Sequence, residues 1–338
     1  MTQNSDPATA PFGSLFGDFF TVAVDDGDGY VYGGSAEPMR PFQLHPGSHV
    51  LHYASECFEG LKAHRQIDGS LAIFRLDDHV DRFTQSVERL MMRVPDSDMV
   101  RQMIIDACEA NGSATPAPPG SLYIRPTLIG TQENIGAAAS PSTTGIFYVI
   151  NSPVGDYFAG GVRPLSIYVE TETPRTTPQF GKVKSGANYV MALGPTLDAK
   201  AKYGIDQVLF ATGGDTTETG ASNFFLVDDN RLVTRHLDES FLHGVTRKSV
   251  IQIGHDLGYE VEERSISLDE LFSWPGELFL SGTAAVIAPV GTLVGKDRKV
   301  TIGDGQPGPN TLRLRDALTD IQIGKSPDTH GWLTPIKG

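Results

Sequence analysis

The sequence predicts an α+β fold in two domains, and three observations carry that expectation. Short apolar runs of strand length are interspersed with amphipathic helices, without the regular strand–helix–strand alternation of a doubly wound sheet. At 338 residues the chain is long for one comfortable core. A Gly- and Pro-containing stretch from Ser152 to Pro164 interrupts it near the middle. The expected organisation is a flexible arm over 1–18, a small α/β domain over 19–154, a linker over 155–164 and a larger domain over 165–338.

In chain order, the polar arm with Pro7 and Pro11 gives way to strands Thr21 to Val24 and Tyr30 to Tyr32, which flank an Asp/Gly turn and read as a hairpin. Short strands are expected at 50–54 and 70–76. Val80, Phe83, Val87, Leu90 and Met91 form one stripe of a helix from Asp77 to Met92, with acidic residues at its start. A second helix runs from caps at Asp96 and Ser97 to a stop at Gly112. Strands follow at Leu122 to Ile129 and Gly145 to Ile150.

Beyond the linker come a strand at 165–171, a helix over about 187–203 containing Pro195, and strands at 207–212, 223–228 and 231–236. A helix after Gly244 is closed by Gly258, and Ser267-Leu-Asp-Glu270 matches a capping box. A strand from Glu277, the turn Ser281-Gly-Thr-Ala284, another strand and a helix over about 311–323 complete the chain. Gly291 to Lys296 is one residue short of a phosphate-binding loop and reads as a surface loop.

Charge and cysteine usage exclude several function classes. Lys and Arg total 27 against 41 Asp and Glu, a formal net charge of −14, so the surface repels a nucleic-acid backbone; a local basic pocket can still hold a carboxylate. Cys57 and Cys108 are the two cysteines and form no CxxC, which fits a reducing cytoplasm. The first positive side chain is Arg40 and no 18-residue apolar run occurs, so neither a secretory leader nor a membrane span is expected. Pro46 and Gly47 break any helix through His45, His49 and His52, and in a strand a spacing of three puts His49 and His52 on opposite faces; no metal is expected. There is no GxSxG, and no GxGxxG is expected to follow a strand.

Three segments carry chemistry. Lys184-Ser-Gly-Ala-Asn-Tyr189 sets a lysine before small residues at a helix start, as close approach to a flat carbonyl cofactor requires; a solvent lysine gives the same string. Glu218-Thr-Gly-Ala-Ser-Asn223 lies between two strands, where a carboxylate could pair with a protonated ring nitrogen or simply serve a turn. His243-Gly-Val-Thr246 opens a helix whose first amides can bind phosphate, as those of any Gly-initiated helix can.

Together with Leu51-His-Tyr-Ala, Phe58-Glu-Gly-Leu-Lys-Ala63, His79-Val-Asp-Arg82, Tyr123-Ile-Arg-Pro126, Ser152 to Phe158, Gly244 to Arg247, Ser281 to Ala284 and His330 to Pro335, these segments resemble, in order, the class IV aminotransferases, and most closely their branched-chain amino acid branch. The resemblance implies fold type IV, with a small α/β domain and a larger pseudo-barrel domain, pyridoxal 5′-phosphate as cofactor and a cytoplasmic homodimer. It implies transfer of the amino group of leucine, isoleucine or valine to 2-oxoglutarate, in two half-reactions through pyridoxamine phosphate. Small amino and 2-oxo acids are the expected partners; nucleic acid and membrane are not.

Carried over by position, Lys184 would anchor the cofactor and move the proton, Tyr189 would bond its phenolic oxygen, and Glu218 its ring nitrogen. Arg82, Val245, Thr246 and Thr283 would hold the phosphate. Tyr53, Phe58, Tyr123 and Tyr157 would line the substrate pocket, with Arg125 on the second carboxylate of glutamate and the Ala284 and Ala285 amides on the α-carboxylate. Ala187 replaces a usual glycine, Lys182 is a second lysine close by, and Ala285 and Ala288 stand where some members carry a redox CxxC, so no thiol switch is expected. The alternatives within the resemblance are a D-amino acid or (R)-amine transaminase, an aminodeoxychorismate lyase, or an aminotransferase with a non-standard substrate; a non-catalytic relative is the rival outside it.

Overall fold

The structure is a computed structural model that describes residues 6–158 and 161–337; residues 1–5 of the expected arm, residues 159 and 160 of the expected linker and residue 338 lie outside the described residues. The chain forms two compact units: one takes the residues up to 159 together with Val183–Gly186 and everything from Ile321 onward, and the other takes 160–182 and Ala187–Asp320.

In the first unit, among the described residues, a nine-stranded sheet runs in the order Leu333–Ile336, Leu71–Phe74, Leu61–Arg65, Ser121–Gly130, Gly145–Val154, Phe19–Asp25, Tyr30–Tyr32, with Glu56–Phe58 and Glu37–Pro38 attached at its sides. Each of these pairings is antiparallel. The hairpin turn is closed by Asp25, whose Oδ1 accepts from the amides of Gly27 and Gly29 at 2.9 Å. Helices Leu76–Arg89 and Ser97–Ala110 form where the apolar period required them, and Val80, Phe83, Val87, Val100, Met103 and Ile104 pack against Leu61, Ile73, Leu122, Ile124 and Phe147. Each such buried side chain contributes about 1.5–3 kcal/mol. Asp96 caps the second helix by accepting from Met99 N at 3.0 Å.

Two expectations for this unit fail. Residues 50–54 do not form a strand: His49–Tyr53 is a one-turn helix, ended by Ala54 in the left-handed region at φ 49°. Five apolar and aromatic residues between turns suit either structure, and His49 decides it by reaching Ser55 Oγ at 2.9 Å and a backbone carbonyl. The described part of the arm is not loose, because Gly17 N donates to Asn151 O at 2.9 Å and the Phe12 ring meets Tyr123 edge-on at 5.0 Å.

In the second unit, among the described residues, an eight-stranded mixed sheet runs Gln207–Phe210, Leu165–Glu170, Val286–Val294, Glu277–Gly282, Asn223–Val227, Arg231–Thr234, Glu260–Glu263, with Lys299–Thr301 beside Val286–Val294. Three pairings are parallel and the others antiparallel. Helix Gly186–Tyr203 contains Pro195 and packs Ala192 and Ala199 against Val208 and Phe210. Ser267 caps Leu268–Ser273 through Glu270 N at 3.2 Å.

Two further expectations need correction. Gly291 to Val294 is no surface loop but the buried end of a strand; a Cβ at Gly291 would meet Gly305 O at 2.5 Å. The range 165–338 is not one domain. Leu333–Ile336 pairs with Leu71–Phe74 and gives the first unit its edge strand, and Lys184 sits with that unit too.

Candidate active site

In the first unit, Lys184 belongs to the short insertion Val183–Gly186. Its amide donates to Ser86 Oγ at 3.2 Å and its carbonyl accepts from Phe58 N at 2.9 Å. Ser185 Oγ donates to Glu56 Oε1 at 3.1 Å, Gly186 N donates to the same oxygen, and a Cβ at Gly186 would stand 2.6 Å from it. Burial pushes the Glu56 carboxyl up, against these two hydrogen bonds. The backbone on both sides of Lys184 is thus fixed, and its side chain places Nζ 5.1 Å from the Phe58 ring centroid. Lys182 differs: it pairs with Glu239 at 2.6 Å where both side chains are open to solvent, so Lys184 is the one in aromatic surroundings.

Phe58, Tyr123 and Arg125 form one cluster beside Lys184. The Arg125 guanidinium lies 4.4 Å from the Phe58 ring centroid and donates to Tyr123 Oη at 2.9 Å. Gly60 is required here, since a Cβ would overlap Tyr123 Oη. Among the described residues Arg125 Nε is buried with no hydrogen-bond partner. Tyr123 and Arg125 line a cavity of about 340 Å³ with Phe12, Phe16 and Ser152. Tyr53 and Tyr157 make their contacts elsewhere: Tyr53 donates to Ile135 O and packs on His49, and Tyr157 is 42% exposed with its ring edge on Phe158.

Arg82 is buried, and its Nε and Nη2 bind the two oxygens of Glu59 at 2.7 and 2.8 Å, while His79 Nδ1 reaches Glu59 Oε2 at 2.7 Å. Burial raises the Glu59 carboxyl, but the opposing charges of Arg82 and His79 outweigh it and hold the group well below the usual carboxylate range. The result is an arginine fixed in direction by a bidentate partner. Glu59 stood inside the Phe58-Glu-Gly segment without a role, and its pairing with Arg82, 23 residues further along the chain, is a tertiary fact.

In the second unit, Glu218 is 2% exposed, ion-paired with Arg175 at 2.8 Å, and accepts from Leu242 N at 2.9 Å on the same oxygen. Its other oxygen is 3.5 Å from Asn223 Nδ2. Arg175 also binds Gly220 O at 3.1 Å, and its guanidinium lies 5.9 Å from the Tyr189 ring centroid. Arg175 sits in an otherwise polar stretch before the lysine, and no pattern in the sequence marks it. Helix Val245–Asp256 begins after Gly244 without a side-chain cap, so the first amides, including those of Val245 and Thr246, point out of a dipole-positive end. A Cβ at Gly244 would overlap Asn223 Oδ1. Thr283, Ala284 and Ala285 form the turn between Glu277–Gly282 and Val286–Val294, where Gly282 pairs with Val286.

The model of the amino-transferase class IV family matches residues 56–293, which is more than half of the chain. The chain belongs to that family. This class IV aminotransferase is 40% identical to a probable branched-chain-amino-acid aminotransferase of Streptomyces coelicolor, over 96% of this chain and 92% of that protein. It is 37% identical to branched-chain-amino-acid transaminase 1 of Bacillus subtilis, over 99% and 96%. Among solved structures it is similar to a T.th. branched-chain amino acid aminotransferase with pyridoxamine 5′-phosphate, at TM-score 0.78 and 30% identity over 95% of this chain and 99% of that one. A Thermobaculum terrenum branched-chain amino acid aminotransferase in its PLP form matches at TM-score 0.79 and 26% identity, over 95% and 98%. The class IV aminotransferase is an α+β protein of fold type IV and its cofactor is pyridoxal 5′-phosphate. Each unit carries donors of the kind that group needs: the first a lysine on a fixed backbone beside an aromatic ring, the second a buried carboxylate and a helix start with its first amides uncapped.

Proposed function

We propose that this aminotransferase moves the amino group of leucine, isoleucine or valine to 2-oxoglutarate, as a cytoplasmic homodimer, in two half-reactions with ping-pong kinetics. The observation that carries the reading is Lys184, held through its amide and carbonyl by Ser86 and Phe58 while Nζ stays over an aromatic face. When bound, pyridoxal phosphate supplies an electron sink for the carbanion at the substrate Cα.

The chain's own residues do the rest. Lys184 Nζ anchors the cofactor and then takes and returns the Cα proton. Glu218, paired with Arg175 and accepting from the Leu242 amide, holds a proton on the ring nitrogen, and Tyr189 bonds the phenolic oxygen. Arg82, aimed by Glu59, and the Val245 and Thr246 amides hold the phosphate with Thr283. Phe58 and Tyr123 exclude water from a branched side chain, and the Ala284 and Ala285 amides take the α-carboxylate. Arg125 takes the distal carboxylate of the acceptor, in line with its buried, unbonded Nε. A solved relative complexed with N-(5′-phosphopyridoxyl)-L-glutamate, 31% identical at TM-score 0.77, supports an acidic partner substrate.

The test is the absorption spectrum of the purified protein before and after L-leucine. A visible cofactor band is expected to bleach toward the near-ultraviolet in the parent chain and not in Lys184→Ala. A band that ignores leucine, isoleucine and valine but responds to a D-amino acid or an amine would replace the substrate assignment. Sedimentation should give twice the 36.4 kDa chain mass.

A further inference from the structure

The hairpin turn Thr283-Ala284-Ala285 ends on Val286, whose φ of 62° lies in the left-handed region. A non-glycine residue is strained in that region, because a Cβ is crowded there and a β-branched side chain most of all. Such a backbone persists only where the surroundings over-determine it. Val286 cannot relax outward either, since its side chain is 7% exposed.

One side chain reaches the carbonyls on both sides of it. Arg315, from helix Pro309–Gln322, donates from a single nitrogen to Ala285 O at 2.6 Å and to Ile287 O at 2.7 Å, the carbonyls on either side of Val286. We propose that Arg315 is a positioning residue for substrate carboxylate recognition: by clasping both carbonyls it holds Val286 left-handed and so sets the direction of the Ala284 and Ala285 amides. This rests on the assignment of that turn to the substrate α-carboxylate. The guanidinium also leaves a fixed positive charge behind a turn that receives an anion, in a protein of net charge −14. Arg315 touches carbonyls and acts on the substrate through the backbone.

The test compares the parent, Arg315→Gln, Val286→Gly and the double variant. In Arg315→Gln the calorimetric Kd for 4-methylvaleric acid and the KM for leucine should each rise about tenfold, with kcat within about threefold of the parent, as expected when ground-state and transition-state binding weaken alike. Glycine adopts the left-handed region without help, so Val286→Gly in the Arg315→Gln background should bring both constants back to within about threefold, a non-additive cycle that a merely structural arginine would not give. Unchanged constants in Arg315→Gln, or no recovery in the double variant, would overturn the proposal. If Arg315→Gln does not fold, Arg315→Lys, which keeps a donor but not the planar fork, is run through the same cycle with the same criteria. A parent whose cofactor band ignores leucine overturns the underlying reading instead, and the two failures are thereby separate.

Discussion

On the proposed assignment, Arg125 meets two substrates with one side chain. Its Nη2 is used by Tyr123 and its flat face by Phe58, while Nε is buried without a partner among the described residues. An unpaired buried guanidinium donor is costly until a carboxylate arrives, and a branched side chain can occupy the same apolar surroundings without asking for it. Arg125→Met should therefore raise the KM for 2-oxoglutarate about 100-fold, the loss of a charge-assisted pair, and change that for 4-methyl-2-oxopentanoate less than about threefold. Steady-state kinetics with the two acceptors checks this; equal losses would move Arg125 to a structural role. At the same scale, Arg82 was expected on phosphate from the sequence and proves to be buried and aimed by Glu59, which His79 also binds. The Arg was legible through its motif, whereas its partner was not, because nothing local joins Glu59 to a helix that starts at Leu76.

The helix Val245–Asp256 depends on its first residue more than on its length. Gly244 is fitted against Asn223, which in turn donates to Leu242 O at 2.9 Å and lies beside Glu218. A methyl group there must displace Asn223 or the helix start. Gly244→Ala is expected to weaken pyridoxal phosphate binding about tenfold or more, since the amides would shift relative to the phosphate, with far-ultraviolet circular dichroism unchanged. Titration of the apoprotein with the cofactor measures it, and an unaltered affinity would remove the helix start from the phosphate site.

Periodicity revealed the long helices because a 3.6-residue apolar stripe needs no partner to be recognised. The short helix His49–Tyr53 and the strand end at Gly291 to Val294 carry no such signal, for a shared reason: few residues, and a conformation selected by distant contacts.

For the whole molecule, buried ionisable groups in the first unit couple stability to pH. His64, on strand Leu61–Arg65, is pulled down to about 3 by burial and by the charge of Lys62. A histidine whose folded value is depressed from 6.5 contributes stability that is complete above about 6.5 and is lost as pH falls toward 3, because the unfolded chain binds the proton first. His79 shifts in the same direction, again through burial, against the pull of Glu59. The urea midpoint should fall steadily from pH 7 to pH 4.5, and His64→Leu should flatten that slope by about one proton per molecule. Superimposable profiles for the two proteins would show that His64 does not control the acid side.

Composition and spacing by themselves determined an α+β protein and where its long helices run, and the ordered segments carried the resemblance to class IV aminotransferases that pointed to Lys184, Glu218 and Arg82. Those features are local: a stripe, a cap, a string of small residues beside a lysine. The tertiary structure alone decided that the last strand and the Lys184 segment belong with the first unit, that Glu59 and Arg175 are the partners of Arg82 and Glu218, and that a valine can occupy a glycine conformation under Arg315. Each of these is a contact between residues far apart in the chain, and its free energy comes from satisfying a buried charge or carbonyl that no neighbouring residue could satisfy.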